Sequence, residues 1–192
     1  MDPLIATLLA LGLMAGVVLL FRAFIRRPRG ISQQDPPGVR TVAVFSGDDR
    51  EFFRDDNPDE PFVGIRLFEM LCAGLTAGRI RIENRGTIEN AQRAECLAGE
   101  ERFALVLEWI DARWVAGVEW VAQSPSEKRH LALTGQVFAP ADSSHLRRLL
   151  SVLDDWLRGQ PRLSDVRWYR KERWIAEDTS DPGDTPFSPP AS

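Results

Sequence analysis

Metal-binding and redox chemistry have little to work with in this chain of 192 residues, which holds only two cysteines and two histidines. Cys72 and Cys96 are not in CxxC spacing, and with His130 and His145 they make no zinc signature. No G-x-S-x-G, Walker or dinucleotide-type glycine pattern occurs, so hydrolase and nucleotide chemistry lack their usual local marks. Net positive charge is missing too. The formal charge is −4, and the remainder becomes more acidic once the arginines near the start are set aside. General nucleic-acid binding draws most of its affinity from neutralising phosphates, so no nucleic-acid partner is expected. No metal and no cofactor are expected either.

Basic side chains are also absent before the long apolar run. From Leu4 to Phe21, "LIATLLALGLMAGVVLLF", no charge interrupts the chain. As a helix rising about 1.5 Å per residue it spans roughly 27 Å, close to the ~30 Å hydrocarbon core of a bilayer. A helix buried in a globular core is rarely apolar on every face. A cleaved leader needs a basic start, a shorter apolar stretch and small residues at the cut, none of which is present. Residues 1–27 are therefore expected to be a retained single-pass transmembrane anchor. Arg22, Arg26, Arg27 and Arg29 all follow the span, so the positive-inside bias puts the N-terminus outside the inner membrane and the remaining chain in the cytoplasm. The same arginines are placed to contact anionic lipid headgroups. Gly12 and Gly16 form a GxxxG, the spacing that lets two helices approach closely, which makes a homodimer through this helix a candidate contact.

Residues 28–62 read as a linker and an acidic loop. "PRGISQQDPPG" carries three prolines and two glycines without apolar periodicity, and "VRTVAVF" (Val39 to Phe45) follows as a short strand. Asp55 to Glu60 partly matches the start of a calcium loop, but Glu60 stands where Gly is needed and Arg66 where Glu is needed. A solvated loop pinned by Phe52, Phe53 and Phe62 is the expectation.

Residues 63–176 carry the pattern of one α+β domain: a mostly antiparallel sheet of about four to six strands packed by two helices. Leu67, Phe68, Leu71, Cys72 and Leu75 recur at helical spacing before Gly78. "RIRIE" alternates as a strand. Residues 87–98 fit either a helix or a strand entering a hairpin at "AGEE". "RFALVLEWI" and "RWVAGVEWV" alternate around a two-residue "DA" turn, with Phe103, Leu105, Leu107 and Trp109 on one face and Trp114, Ala116, Val118 and Trp120 beside them. "SPSEKR" reads as a turn and "HLALTGQVF" as a further strand of the meander. A helix capped by Asp142 or Ser143 presents Leu146, Leu149, Leu150, Leu153, Trp156 and Leu157, and "LSDVRWY" closes as a strand. Residues 177–192, rich in Pro, Ser and Asp, read as a disordered tail.

The stretch "LFEMLCAGLTAGRIRIE", the Trp-rich hairpin and "LRRLLSVLDDWLRGQPRLSDVRWY" together resemble small bacterial α+β domains over roughly residues 65–170, a resemblance that carries no activity. The helix–meander–helix order is also similar in topology to type III secretion chaperones. Neither resemblance implies a catalytic residue.

Chemistry-bearing candidates are few. Glu108 and Glu119 lie on adjacent strands, opposite the tryptophans, among Ala104, Val106, Val115, Gly117 and Val121. They read either as paired carboxylates for acid–base work or as surface acids neutralised by Lys128 or Arg129. His130 and His145 read as surface residues. "RWYRKERW" is basic and aromatic: Trp168 suits the core, while Tyr169, Arg170 and Trp174 are the candidate surface for a protein partner. The expected function is a membrane-anchored, non-catalytic protein-interaction module. The alternatives are a membrane-tethered enzyme using Glu108, Glu119 or His130, and an immunity-like protein that neutralises a toxin.

Overall fold

The structure, a computed structural model, describes residues 34–47, 52, 64–88, 91–134 and 139–187. The apolar run with Gly12 and Gly16, the four arginines after it and most of the acidic loop lie outside the described residues. Among the described residues no helix is long and apolar enough to cross a membrane.

The fold is α+β, with one six-stranded antiparallel sheet and helices. The strands are β1 (Val42–Ser46), β2 (Arg81–Ile88), β3 (Ala91–Ala98), β4 (Glu101–Ile110), β5 (Arg113–Trp120) and β6 (Ser164–Tyr169). The helices are α1 (Ile65–Ala77), α2 (Pro125–Thr134), α3 (Ser144–Gly159) and the short α4 (Lys171–Ile175). The sheet order is β2-β3-β4-β5-β1-β6. These elements fall into two compact units: α2 belongs to one, and the whole sheet with the other helices to the second.

The Trp-rich hairpin forms as its alternation requires. Phe103 faces Trp120, Leu105 Val118, Leu107 Ala116 and Trp109 Trp114. Asp111 and Ala112 both have positive φ, 48° and 62°, the pairing that a two-residue turn matched to strand twist demands. Of residues 87–98, those described, 87–88 and 91–98, are strand and not helix: β3 pairs with β2 on one side and β4 on the other, and Gly99 (φ 61°) turns the chain between β3 and β4.

The tryptophan-bearing face is the core. Leu67, Phe68, Leu71, Cys72 and Leu75 of α1 and Leu146, Leu149, Leu150, Leu153 and Leu157 of α3 are buried against it with Phe45, Leu105, Trp114 and Trp168. Each such side chain contributes about 1.5–3 kcal/mol on leaving water. Trp168 is fully buried, and its indole N–H donates to Asp154 Oδ1 at 2.8 Å. Ser143 is the N-cap of α3: its hydroxyl accepts from Leu146 N at 3.0 Å and donates to Glu101 Oε2 at 2.6 Å. Ser143→Ala is expected to cost about 1 kcal/mol in a urea titration; an unchanged midpoint would show that the cap contributes nothing.

Three expectations change. "HLALTGQVF" is not a meander strand, and "SPSEKR" is not a turn between strands. Pro125–Thr134 is helix α2, and 135–138 lie outside the described residues. The local reason is a capping box with proline at the first helical position. Ser124 Oγ accepts from Glu127 N at 3.2 Å, and Glu127 Oε2 accepts from Ser124 N and Gln123 N at 2.8 and 2.9 Å. Burial alone would raise the Glu127 carboxyl, but these bonds outweigh it and hold it below its ordinary value. The place beside β5 goes instead to β1, whose Val42, Ala43, Val44 and Phe45 are all buried between β5 and β6.

The third change is at the C-terminus, where residues up to Phe187 are placed rather than lying in a tail without structure. Gly183 exchanges both backbone bonds with Trp168 at 2.8 Å, Pro186 accepts from Arg40 N, and Val39 bridges Phe187. This return covers the outer edge of β6, where open backbone groups would otherwise invite further pairing.

Candidate functional site

Among the described residues, the second face of the sheet is only partly covered. Because side chains alternate, the register sets Tyr169, Val42, Gly117, Val106 and Arg93 in one row across five strands. Val44, Val115 and Glu108 form the next row, and Glu119 lies beyond Gly117 on β5. Helix α4 follows β6 immediately and brings Lys171, Trp174 and Ile175 over this face. The result is a half-open groove of about 200 Å³ lined by Val42, Val106, Val115, Gly117, Trp174 and Ile175, with Glu108, Glu119 and Lys171 as its charged residues.

The structure thus brings Glu108 and Glu119 into one groove. The expected partners of these acids, Lys128 and Arg129, are replaced at Glu119 by Lys171: Nζ donates to Glu119 Oε1 at 2.9 Å. The Lys171 side chain is only 7% exposed and that of Glu119 23%. Burying an ammonium is costly unless it is paired, so this bond fixes the orientation of α4. His130 belongs to α2 in the other unit. His145 lies in the first turn of α3 with its ring against Gly99, where a Cβ would stand 2.2 Å from Cε1.

Tyr169, Arg170 and Trp174 are together at the α4 end of the groove. The Tyr169 and Trp174 rings lie 5.6 Å apart at 48°. Tyr169 is buried, sealing the small cluster of Val42, Val44 and Val115, while Trp174 is partly exposed and Ile175 is 66% exposed. Arg170 faces inward more than outward: its Nη2 donates to the Asp35 carbonyl at 2.9 Å, and its Nε lies 2.6 Å from Glu172 Oε1.

Asp35, within the stretch read as a linker, is the residue that the sequence pattern did not single out. It is 3% exposed. Oδ2 accepts from Thr41 N and from Lys171 N, each at 2.9 Å, and Oδ1 from the Thr41 hydroxyl at 2.7 Å. Its own N–H donates to Glu172 Oε2 at 3.0 Å. A carboxylate thus caps the first N–H of α4 and ties the start of the domain to the helix that roofs the groove. Burial pushes the Asp35 carboxyl up, the bonds from Lys171 and Thr41 pull it down, and the Glu172 charge adds to the rise; the balance lies above the ordinary value.

Neither thiol is placed for nucleophilic work. Cys72 and Cys96 are free and fully buried, and burial above all pushes them up to about 11 and about 12, so both stay protonated at neutral pH. What the groove offers chemically is apolar contact beside the embedded Glu119–Lys171 ion pair. The chain matches no protein-family model, no curated protein and no solved structure.

Proposed function

We propose that this is a single-pass inner-membrane protein whose α+β domain is a non-catalytic module that contacts a protein partner through the second face of its sheet. The observation that carries this reading is the character of the groove. It is half-open and mainly apolar, and Glu119 is held by a buried ammonium. An acid–base site would instead need a carboxylate poised over a substrate cavity. Trp174 and Ile175 form the rim a partner would meet, with Tyr169 and Arg170 holding that rim in place.

The membrane half of the proposal is supported by sequence: the uncharged run Leu4–Phe21 followed by Arg22, Arg26, Arg27 and Arg29. The anchor would confine the module to the bilayer surface, with its domain on the cytoplasmic side. Gly12 and Gly16 would allow two copies to associate there.

Both halves can be tested on the full chain. A reporter fused after Ser192 should be active only in the cytoplasm; periplasmic activity overturns the orientation. Affinity capture from detergent-solubilised membranes should recover a reproducible partner with the wild-type chain and lose it with Ile175→Asp. That substitution places a charge on a side chain that packing does not need, since Ile175 is 66% exposed. Recovery unaffected by the substitution, or no reproducible partner at all, overturns the proposed contact face.

A further inference from the structure

Past α4 the chain stops sharply and then returns along β6. Glu177 N–H donates to the Trp174 carbonyl and Asp178 N–H to the Arg173 carbonyl, the paired bonds that end a helix on a left-handed residue. Glycine is usual at that position, but here it is Glu177, with φ 57°. A residue with a Cβ holds this conformation only at a cost. Residues 178–182 then lead directly into the strap Gly183–Phe187.

The seat of the strap is made by the rest of the domain. Trp168 exchanges two backbone bonds with Gly183, and Arg40 N–H donates to the Pro186 carbonyl, all at 2.8 Å. Arg158 reaches the Asp184 carbonyl and Arg167 its carboxylate. Pro186 is buried, Phe187 packs against the main core, and the Arg147 guanidinium lies 5.3 Å over its ring. A Cβ at position 183 would stand 2.6 Å from Arg40 Cζ. The seat therefore favours glycine there, an acid next and an aromatic ring at position 187.

The segment that meets these demands is this chain's own, which identifies the partner as a second copy. Every contact of the strap is the same whether its own chain or another copy supplies it. The turn at Glu177 is different, because only a strap that folds back onto its own chain needs it. A short connection under strain favours exchange of the element that follows it. We propose that two copies of this chain exchange the strap Gly183–Phe187, each laying it along the β6 edge of the other. The exchange joins the copies through that edge and asks nothing of the groove face or of Gly12 and Gly16.

Disulfide trapping on the full chain in detergent micelles tests this. Val39 and Phe187 face each other across an antiparallel bridge, and the adjoining bond runs from Arg40 N to the Pro186 carbonyl, so they form a pair without mutual hydrogen bonds. The Cα atoms of such a pair lie about 4.5 Å apart, within reach of a disulfide. Val39→Cys and Phe187→Cys placed in one chain should close within that chain under mild oxidation. Placed in separate chains and mixed, they should give a covalent heterodimer at least tenfold above the dimer from either variant oxidised alone. The native Cys72 and Cys96 are fully buried and stay out of reach. Glu177→Gly in both chains relieves the turn and should cut the heterodimer at least threefold, with the melting temperature at or above the wild-type value. A double variant that fails to close within its own chain overturns the strap geometry on which the proposal rests. Closure there without a heterodimer overturns the exchange, as does a heterodimer yield indifferent to Glu177→Gly. Capture of a groove partner through Ile175 is untouched by any of these results.

Discussion

Asp35→Ala is expected to destabilise the protein by about 3–5 kcal/mol, with the loss felt first at α4. Three donors converge on the Asp35 carboxylate, namely Thr41 N, the Thr41 hydroxyl and Lys171 N. Each donor left buried without an acceptor costs about 1–3 kcal/mol. Asparagine should behave differently. Turned so that its oxygen takes the position of Oδ2, it accepts from both backbone N–H groups, and its amide N–H donates to the Thr41 hydroxyl, which can also accept. Asp35→Asn is therefore expected within about 1 kcal/mol of wild type at neutral pH. The pH dependence separates the two effects. Burial first of all places the folded-state pKa of Asp35 above its ordinary 3.8, so its contribution is fully present below that value and is lost as pH rises through the folded pKa. Wild type should gain on Asp35→Asn as pH falls towards 4. Urea titrations of the three proteins at pH 4 and pH 7 would decide it. An alanine cost below about 1 kcal/mol, or an asparagine cost equal to alanine's, would remove the capping role.

Gly74→Val should cost about 3 kcal/mol, a fall in melting temperature of about 6–12 °C for a chain of this size. Gly74 lies in α1 where the helix meets α3, and a Cβ there would stand 1.9 Å from Trp156 Cδ1 and 2.7 Å from Cγ. Cγ is the root of the indole ring, so no rotation of a flexible end relieves the overlap. The helices must part or the indole must leave its site. The roughly 1 kcal/mol that a helix interior gains when alanine replaces glycine does not offset a clash of this size, so Gly74→Ala is also expected to lose stability. In a Trp156→Ala background the valine should be tolerated, giving a strong favourable coupling in the double-mutant cycle. Additive losses would show that Trp156 is not the obstacle.

These two residues mark the limit of what could be read before the fold was in view. Helices α1 and α3 were legible because their apolar residues recur at the helical period, and β4 and β5 because theirs alternate around a two-residue turn. The Glu108 and Glu119 side of the hairpin was legible for the same reason. Helix α2 runs against the expected turn and strand although its signal is local: Ser124-Pro125-Ser126-Glu127 is a capping box with proline in place, whereas the alternation in "HLALTG" is short. The partner of Glu119 is neither of the nearby cations Lys128 and Arg129 but Lys171, 52 residues away. Asp35 sits in a proline-rich stretch with the composition of a spacer, and its binding partner Lys171 is 136 residues further on.

The sequence by itself determined the α+β class, the core faces of the hairpin and the two long helices, and a cap at Asp142 or Ser143, since each follows from periodicity or from residues within one turn. Only the tertiary structure decided that β1 lies between β5 and β6, that α4 roofs the second face, and that Asp35 and Lys171 hold it there. Those facts depend on which distant segments share a hydrogen-bonding edge or bury a charge together. Loop closure costs little extra as loops lengthen, so chain separation neither forbids nor announces such pairings.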